Sequence, residues 1–497
     1  MANLMGIDIG SGGCKVIVIN DSGEVLGRKY REYETNYPHL GWAEQDPRDW
    51  ENALRELLPI VFSEAGIRPR DLGCITIGAA THSVVLLDKK GKVLRPAILW
   101  TDRRSIDEVE WLKSNFGDMI IEETYHAPNV NWTLPYLVWV RNHEPQVWKE
   151  VDKILMPKDY IRYKFIGKMA TDFMDGHGTL LFNVPHKRWS SKICNALDIP
   201  MDILPEVLPA TQIAGEVNSA AAAFFGLAPG TPVLVGTTDQ ASEAFGSGAI
   251  SQGSGILKLA TAGNVAVVTE KPYPSPPRVY AYYHLVKNFW YTLSGTSSCA
   301  VAYRWLRDTF FGEKGENAVY GMMDAMAEKV SLGAGGILFH PNLQGSLGDP
   351  YLRADFLGIM ASHHKEHFVR AVLEGVAFSL YDCLQREERL GVQAKEFRLI
   401  GGGAKSPLWR RIISDVFGRK MHVPQESDAS FGAALLGGVG TGVFKDIEEA
   451  VERCVRIQDT IDPDFSNHQV YGEIFKCYQK SEIALRDIYR HLHSLDL

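Results

Sequence analysis

The first thirty residues alternate short apolar runs with small-residue turns. Leu4 to Ile9 and Lys15 to Ile19 read as strands, and Gly10-Ser11-Gly12-Gly13 supplies the turn between them. A second turn, Asn20-Asp21-Ser22-Gly23, leads to a third strand through Val25 and Leu26, so the chain is expected to open as a meander. The period then lengthens. Trp50, Leu54, Leu57, Leu58 and Val61 share one helical face, with Asp46 placed to cap the helix and Pro47 suited to its first turn. Strands at Cys74 to Gly78 and Ser83 to Leu87 follow, which is the order of an α/β domain.

The stretch Gly246 to Gly255, GSGAISQGSG, has almost no side chains to pack and reads as a flexible connection. After it the opening theme returns: a strand at Ile256 to Ala260, a small-residue turn at Thr261-Ala262-Gly263-Asn264, and a strand at Val265 to Val268. Two such openings suggest a duplicated core, although the segments are not alike residue by residue. Beyond about Lys445 the pattern reads as helical to the end. The expected division is 1–246, 253–445 and 446–497, and a chain of 497 residues has room for it.

Composition narrows the function classes. Hydrophobic residues at 45% and charged residues at 23% are ordinary for a globular protein and exclude a disordered or collagenous one. A net charge of −8 gives no global attraction to nucleic acid or anionic membrane, so any phosphate ligand must be held by local backbone geometry. Cysteines stand singly at 14, 74, 194, 299, 383, 454 and 477, an odd set without a CxxC, as expected for free thiols in a reducing cytoplasm. The start MANLMGIDIGSGG lacks a basic region and carries Asp8 where a signal peptide would be apolar. The longest uncharged stretch, Val217 to Thr238, contains Pro229 and Pro232 and does not read as a membrane helix.

Four segments have the makings of a site. Gly10 to Gly13, with Asp8 before and Lys15 after, is either an anion nest or a plain tight hairpin; it has neither the Walker A spacing nor the helix that a dinucleotide fingerprint requires. Asp239 follows the apolar strand Pro232 to Gly236, where α/β folds place ligand-contacting groups, but taken alone it reads rather as the cap of a helix starting at Gln240. Gly401-Gly402-Gly403-Ala404 lies between the strand Phe397 to Ile400 and a helix through Trp409, Ile412, Ile413 and Val416, and would allow a flat ligand close to the backbone. Phe431 to Gly437 reads as a small-residue helix for close packing. His363, Glu366 and His367 match an inverted zinc motif, yet with Ser362 as cap they read better as an ordinary first helical turn without a third ligand.

Taken together these residues resemble the FGGY family of carbohydrate kinases, most closely its xylulokinase-like branch. The resemblance rests on GIDIGSGGCK at 6–15, GWAEQDPRDW at 41–50, ILWTDRR at 98–104, MPKDYIRYKFIGKMATD at 156–172, GTPVLVGTTDQ at 230–240 and GGGAKSPLWRRIISDVFG at 401–418, all in family order. It implies an α/β protein of two ribonuclease H-like, actin-like ATPase domains with a cleft between them. It also implies transfer of the ATP γ-phosphoryl to a sugar hydroxyl, with Asp239 as general base. By the same resemblance Asp8 and Asp239 serve Mg²⁺. Gly10, Ser11, Gly12, Gly13 and Lys15 face the β- and γ-phosphates, with Thr261, Ala262 and Gly263 as a second phosphate turn. Ala300, Gly402, Gly403, Ala404 and Ser406 fall on the nucleotide side, and Thr81, His82, Trp100, Asp102 and Asn131 on the sugar side. Partners are then a ketopentose such as D-xylulose and ATP, no nucleic acid or membrane, and a second copy in a possible homodimer.

The chain departs from the family pattern at Thr81-His82-Ser83, where Met-His-Gly is usual, at Gly345-Ser346-Leu347 in place of Gly-Glu-Arg, at Tyr136 in place of Lys, and at Ala300 in place of Gly. These leave another ketose, a polyol or gluconate open as the acceptor. A sugar- or nucleotide-binding protein without turnover, or a metal hydrolase built on His363 to His367, are the readings from other classes.

Overall fold

The structure is a computed structural model that describes residues 2–276, 278–312, 317–346 and 349–495. It forms two compact units: Met1–Ile250 with Tyr282–Asn288 and Glu426–Val455, and Ser251–Ala281 with Phe289–Gln425 and Arg456–Leu497.

In the first unit, β1 (Asn3–Ile9), β2 (Gly13–Ile19) and β3 (Val25–Glu32) form the expected antiparallel meander. Asp46 caps α1 (Pro47–Ala65) through the Arg48 N–H, and Gly66 closes it at φ 65°. The chain then returns as β4 (Leu72–Ala79), parallel to β1. After α2 (Pro157–Ile166) come β5 (Ile213–Glu216), β6 (Pro232–Leu234) and the short β7 (Thr237–Thr238), which pairs with β4 and leads straight into α3 (Asp239–Gly246). The sheet order is β5-β6-β4-β1-β2-β3. Alternation along the strands feeds two cores. Met5, Ile7, Val16 and Val18 pack under α1, while Leu4, Ile17 and Ile19 join Phe245, Phe431 and Leu435 on the other face.

The second unit repeats this plan. β8 (Ser254–Leu259), β9 (Gly263–Thr269) and β10 (Trp290–Thr296) form an antiparallel meander. α4 (Ala300–Phe310) and α5 (Lys365–Arg389) precede β11 (Glu396–Ile400), which is parallel to β8. α6 (Pro407–Phe417) leads to β12 (Lys420–Pro424), parallel to β11. The duplication read from two faint segments is therefore present in strand order and direction.

Two expectations are corrected. The supposed flexible connection is mostly packed: residues 246–249 are buried, the Ser247 hydroxyl donates to Ala244 O at 3.0 Å, and β8 already begins at Ser254. Small residues there reflect contact with a neighbouring backbone, since a Cβ on Gly246 would lie 2.9 Å from Gly432 N. The C-terminal region is not all helix: between α7 (Ala429–Gly440), α8 (Ile447–Cys454) and α9 (Phe465–Ser494) lies β13 (Ile457–Ile461), antiparallel to β12. The compact units themselves are discontinuous in sequence, with Glu426–Val455 grouped with the first. The small-residue helix α7 packs there as read from sequence, with a Cβ on Gly6 falling 1.8 Å from Ser430 O.

All seven cysteines are free and only Cys477 is exposed. Among the described residues no helix is long and apolar enough to cross a membrane.

Candidate active site

Strand register assembles the centre of the first unit. Asp8 faces Lys15 across the β1–β2 pair and Gly78 across the β1–β4 pair, and Gly78 in turn faces Thr237 on β7. Asp239 begins α3 one residue beyond β7, so Asp8 and Asp239 converge at the same end of the sheet. Asp239 does not cap its helix: the Thr238 hydroxyl accepts from Ala241 N at 3.3 Å, and Asp239 Oδ1 accepts from its neighbour Gln240 N at 2.8 Å. The convergence is electrostatically costly. Burial, then the charge of Asp239, lifts the Asp8 carboxyl to about 8 against the pull of Lys15, with Glu243 and Asp428 adding to the rise.

That environment is a test of the expected cation. Asp8 Oδ1 is buried and has no hydrogen-bond partner among the described residues, and a divalent ion beside it would reverse the repulsion from Asp239. No group of three or more His, Cys, Asp or Glu among the described residues has metal-binding geometry. An ion here would be held by one or two carboxylates, with oxygens from water or ligand completing its shell.

The β1–β2 turn is oriented by its own neighbours. Its carbonyls are taken: Tyr33 donates to Gly10 O, Gln45 Nε2 to Ser11 O at 2.7 Å, and Tyr30 to Gly12 O at 3.1 Å. Backbone N–H groups of Ser11 and Gly12 find no protein acceptor among the described residues, as an anion nest requires. Gly13 has no room for a Cβ, which would sit 2.5 Å from Arg31 O. Lys15 Nζ lies 3.6 Å from Asp428 Oδ2.

Beside this turn the sugar-side candidates form one connected surface. Trp100 Nε1 donates to Ser11 Oγ at 2.8 Å, Asn131 Nδ2 to Trp100 O at 2.7 Å, and Ser83 Oγ accepts from Trp100 N at 3.1 Å. His82 sits in the left-handed region at φ 71°, its Nδ1 2.7 Å from Gly178 O and its ring edge-on to Trp132 at 4.2 Å. Burial lowers its imidazole to about 4, opposed by the Gly178 carbonyl, so the ring is neutral at physiological pH. Thr81 donates to Asp175 Oδ1 at 2.7 Å.

Asp102 is not brought to this surface. Fully buried, it accepts from Ala43 N and is clamped by Arg104, Nε at 2.9 Å and Nη2 at 2.7 Å. Arg104 in turn lies 3.7 Å over the Trp42 ring. Asp102 holds the loop that carries Trp100. Tyr136, also fully buried, donates to Asp102 O at 3.2 Å, so this departure is absorbed by the same support.

Sequence reasoning quoted one further network without reading its chemistry. Buried Lys158 on α2 lies 2.6 Å from Asp159, 3.1 Å from Asp172 and 3.0 Å from Asp175. Asp175 holds Thr81, and Asp172 Oδ2 accepts from Thr237 Oγ1 at 2.9 Å. One ammonium thereby ties the sugar-side loop to the strand that delivers Asp239. The signal was the Lys-Asp pair beside a Thr-Asp within 156–172.

In the second unit the two expected turns are adjacent, because β8 and β11 pair in parallel. Thr261 and Ala262 are exposed, and the turn is pinned to α4: Cys299 N donates to Thr261 O at 3.0 Å and Ala300 N to Ala260 O at 2.8 Å. A Cβ on Gly263 would meet Cys299 Cβ at 2.8 Å, and one on Gly403 would meet Leu259 Cβ at the same distance. Gly402 alone of these faces open space, with nothing within 4 Å of a Cβ. Ser406 caps α6 by accepting from Trp409 N at 3.0 Å. Ala404 is buried and does not reach the open face; Arg410 donates to its carbonyl.

The remaining singled-out segments have local roles. His363 Nε2 is 3.1 Å from Gly335 O, and His367 Nδ1 accepts from His364 N at 3.1 Å. The cap of α5 is His364 and not Ser362. Gly345 turns at φ 74° and Ser346 N donates to Asp349 O at 3.0 Å; Leu347 lies outside the described residues.

Comparison with known proteins places this geometry. The N-terminal domain model of the FGGY family of carbohydrate kinases matches residues 3–246, and the C-terminal domain model matches 258–441. The chain is 31% identical to a xylulose kinase of Bacillus subtilis over 502 residues, covering 100% of this chain and 98% of that one. It is 28% identical to a gluconokinase of Bacillus licheniformis over 88% of each. Among solved structures, a xylulose kinase from Rhodospirillum rubrum superposes with a TM-score of 0.91 at 28% identity, covering 98% of this chain and all of that one.

Proposed function

Because the chain belongs to the FGGY family of carbohydrate kinases, we propose that it transfers the γ-phosphoryl group of ATP to a hydroxyl of a ketopentose, with D-xylulose as the first candidate. Full-length similarity to xylulose kinases supports the acceptor. The observation that carries the chemistry is the convergence of Asp239 and Asp8 at the strand ends, beside a turn whose Ser11 and Gly12 N–H groups have no protein acceptor among the described residues.

The acceptor would rest against Thr81, His82, Trp100 and Asn131 with its reactive hydroxyl at Asp239. The Asp239 carboxylate takes the hydroxyl proton as the oxygen attacks the γ-phosphorus. The new O–P bond forms while the bond to the β,γ-bridging oxygen breaks, and ADP leaves with that electron pair. The N–H groups of Ser11 and Gly12 with Lys15 would hold the phosphate oxygens and orient the phosphorus in line. Asp8 with Asp239 would hold Mg²⁺, which when bound neutralises charge building on those oxygens. The turns at Thr261 to Gly263 and Gly402 to Ser406 would carry the nucleotide through backbone contacts, with Gly402 offering the close approach. Asp102 and Lys158 act as positioning residues.

The neutral His82 ring and the Thr81 hydroxyl are hydrogen-bonding groups for an uncharged polyol, which favours a ketose over an aldonate. Gluconate is the second reading, prompted by the gluconokinase relative. The test is ADP release with Mg²⁺-ATP across ketoses, polyols and aldonates beside Asp239→Asn. Release stimulated by D-xylulose and abolished by the substitution upholds the proposal; stimulation by gluconate alone replaces the acceptor, and ADP release indifferent to every sugar overturns it.

A further inference from the structure

The second unit holds a cavity of about 480 Å³ that none of the nucleotide-side residues lines. It lies along the flank of α5, with α9 opposite and the end of β10 at its wall, where Thr296 pairs in register with Gly263. Four arginines line it, Arg278, Arg386, Arg389 and Arg486, against two carboxylates, Asp382 and Glu482, and no lysine. The whole chain has 52 basic against 60 acidic side chains, so the cavity runs against the composition of the protein around it.

Both carboxylates are already engaged. Asp382 pairs with Arg386 and accepts from Gln479 at 2.8 Å, and Glu482 lies 3.5 Å from Arg486. Arg486 also sits 3.7 Å from Asp349, yet its Nε is buried with no hydrogen-bond partner among the described residues. Arg278 and Arg389 are exposed, and among the described residues no ion pair or side-chain hydrogen bond engages either guanidinium. Two guanidinium charges are thus left over in a cavity also lined by the hydroxyl residues Ser275, Ser379 and Thr296, with Val279 and Leu390 as its apolar floor. A planar fork of donors matches the oxygens of a phosphate monoester, which a point-charge ammonium does not. The volume suits a ligand of metabolite size.

From these features we infer that the cavity is a binding site for a small phosphate-bearing anion, separate from the turns assigned to ATP. The inference does not rest on the kinase reading, and its test reads binding without turnover. The full chain, saturated with ADP, is titrated calorimetrically at low salt with inorganic phosphate and, separately, with a pentose 5-phosphate. The same titrations are run on the Arg278→Ala/Arg389→Ala and Arg278→Lys/Arg389→Lys double variants. Both residues are exposed, so the fold is not at risk, and circular dichroism checks it.

The expected result is a binding event in the unsubstituted protein that weakens at least about tenfold in the alanine variant and less in the lysine variant, as loss of charge-assisted hydrogen bonds requires. Equal loss for both probes makes the phosphate group sufficient; loss for the sugar phosphate alone adds the apolar floor to the recognition. Either upholds the site. Isotherms that superimpose for the unsubstituted protein and the alanine variant overturn it, since any phosphate bound then belongs elsewhere.

Discussion

The strand–turn–strand corners of the two units occupy the same place in the same sheet plan, and they are loaded differently. The second residue from the end of the first strand is Asp8 in one and Lys258 in the other. The first corner draws in Lys15, Asp239 and Asp428 as well. The second presents Thr261 and Ala262 and fastens its carbonyls to the start of α4. Carboxylates gather at the first corner, whereas the second carries Lys258 and has Arg304 donating to Thr261 Oγ1 at 3.1 Å; on the proposed reading the first serves the chemistry and the second the nucleotide. Phosphoryl transfer makes that division workable, because it needs a base and charge neutralisation at one point and only shape along the rest of the nucleotide.

The largest effect that breaks the comparison is Asp239→Asn. It should lower kcat by about 10²- to 10⁴-fold while ADP affinity, measured calorimetrically, stays within error. A parallel loss of ADP affinity would mean the corners are not separable. Next comes Lys158→Met, which leaves Asp172 and Asp175 without their cation in the core of the first unit, Asp159 keeping Arg162 at 3.0 Å, and should cost about 3–5 kcal/mol of stability in urea unfolding. Replacing Thr81 by Val removes one hydrogen bond to Asp175 of that core and should cost about 1–3 kcal/mol while raising KM for the sugar; an unchanged KM would make Thr81 purely structural.

At the other corner, two adjacent glycines separate packing from ligand approach. Gly403→Ala collides with Leu259 and Trp409 and should cost about 1–3 kcal/mol. Gly402→Ala has open space, so its stability should hold while KM for ATP rises by about tenfold. Identical behaviour of the two would remove the nucleotide from that face. The last effect concerns pH. Glu387 on α5, fully buried and bonded by Ser294 at 2.6 Å and by Thr292, has its carboxyl raised by burial from 4.5 to about 8. Its contribution to stability is complete below 4.5 and is lost as pH rises through about 8. Urea midpoints at pH 5 and pH 8.5 should differ for the unsubstituted chain by more than for Glu387→Gln, and equal differences would show that the carboxyl titrates alike when folded and unfolded.

Periodicity and turn residues were enough for the first meander, the strand–turn–strand opening of the second unit, α1 with its Asp46 cap, and the triple glycine before α6, because each is decided by neighbours in sequence. What failed needed distant partners. Asp239 passed for a cap because any Asp ahead of a helix can be one; the competing cap, Thr238, is visible only in the geometry. Asp102 looks like a ligand in ILWTDRR until Arg104 and Ala43 N are seen to fill its oxygens. The Gly/Ser stretch after Phe245 carries the composition of a linker, but its small residues answer to Gly432, far along the chain. Lys158 was legible as part of a family segment and not as a buried cation, since nothing local says that three carboxylates will surround it.

That same contact has a consequence for how the molecule comes into being. Helix α7, which covers Gly6 on β1 and Gly246 on α3, lies in the segment Glu426–Val455. During synthesis the first unit must therefore wait for about two hundred residues beyond Ile250 before one face of its sheet can be covered. At ordinary elongation rates that is a delay of roughly 10–40 s, during which the second unit emerges as far as Gln425 while its Arg456–Leu497 is still to be made. The nascent chain would carry a half-dressed sheet through that time, and a fragment ending at 250 would carry it permanently.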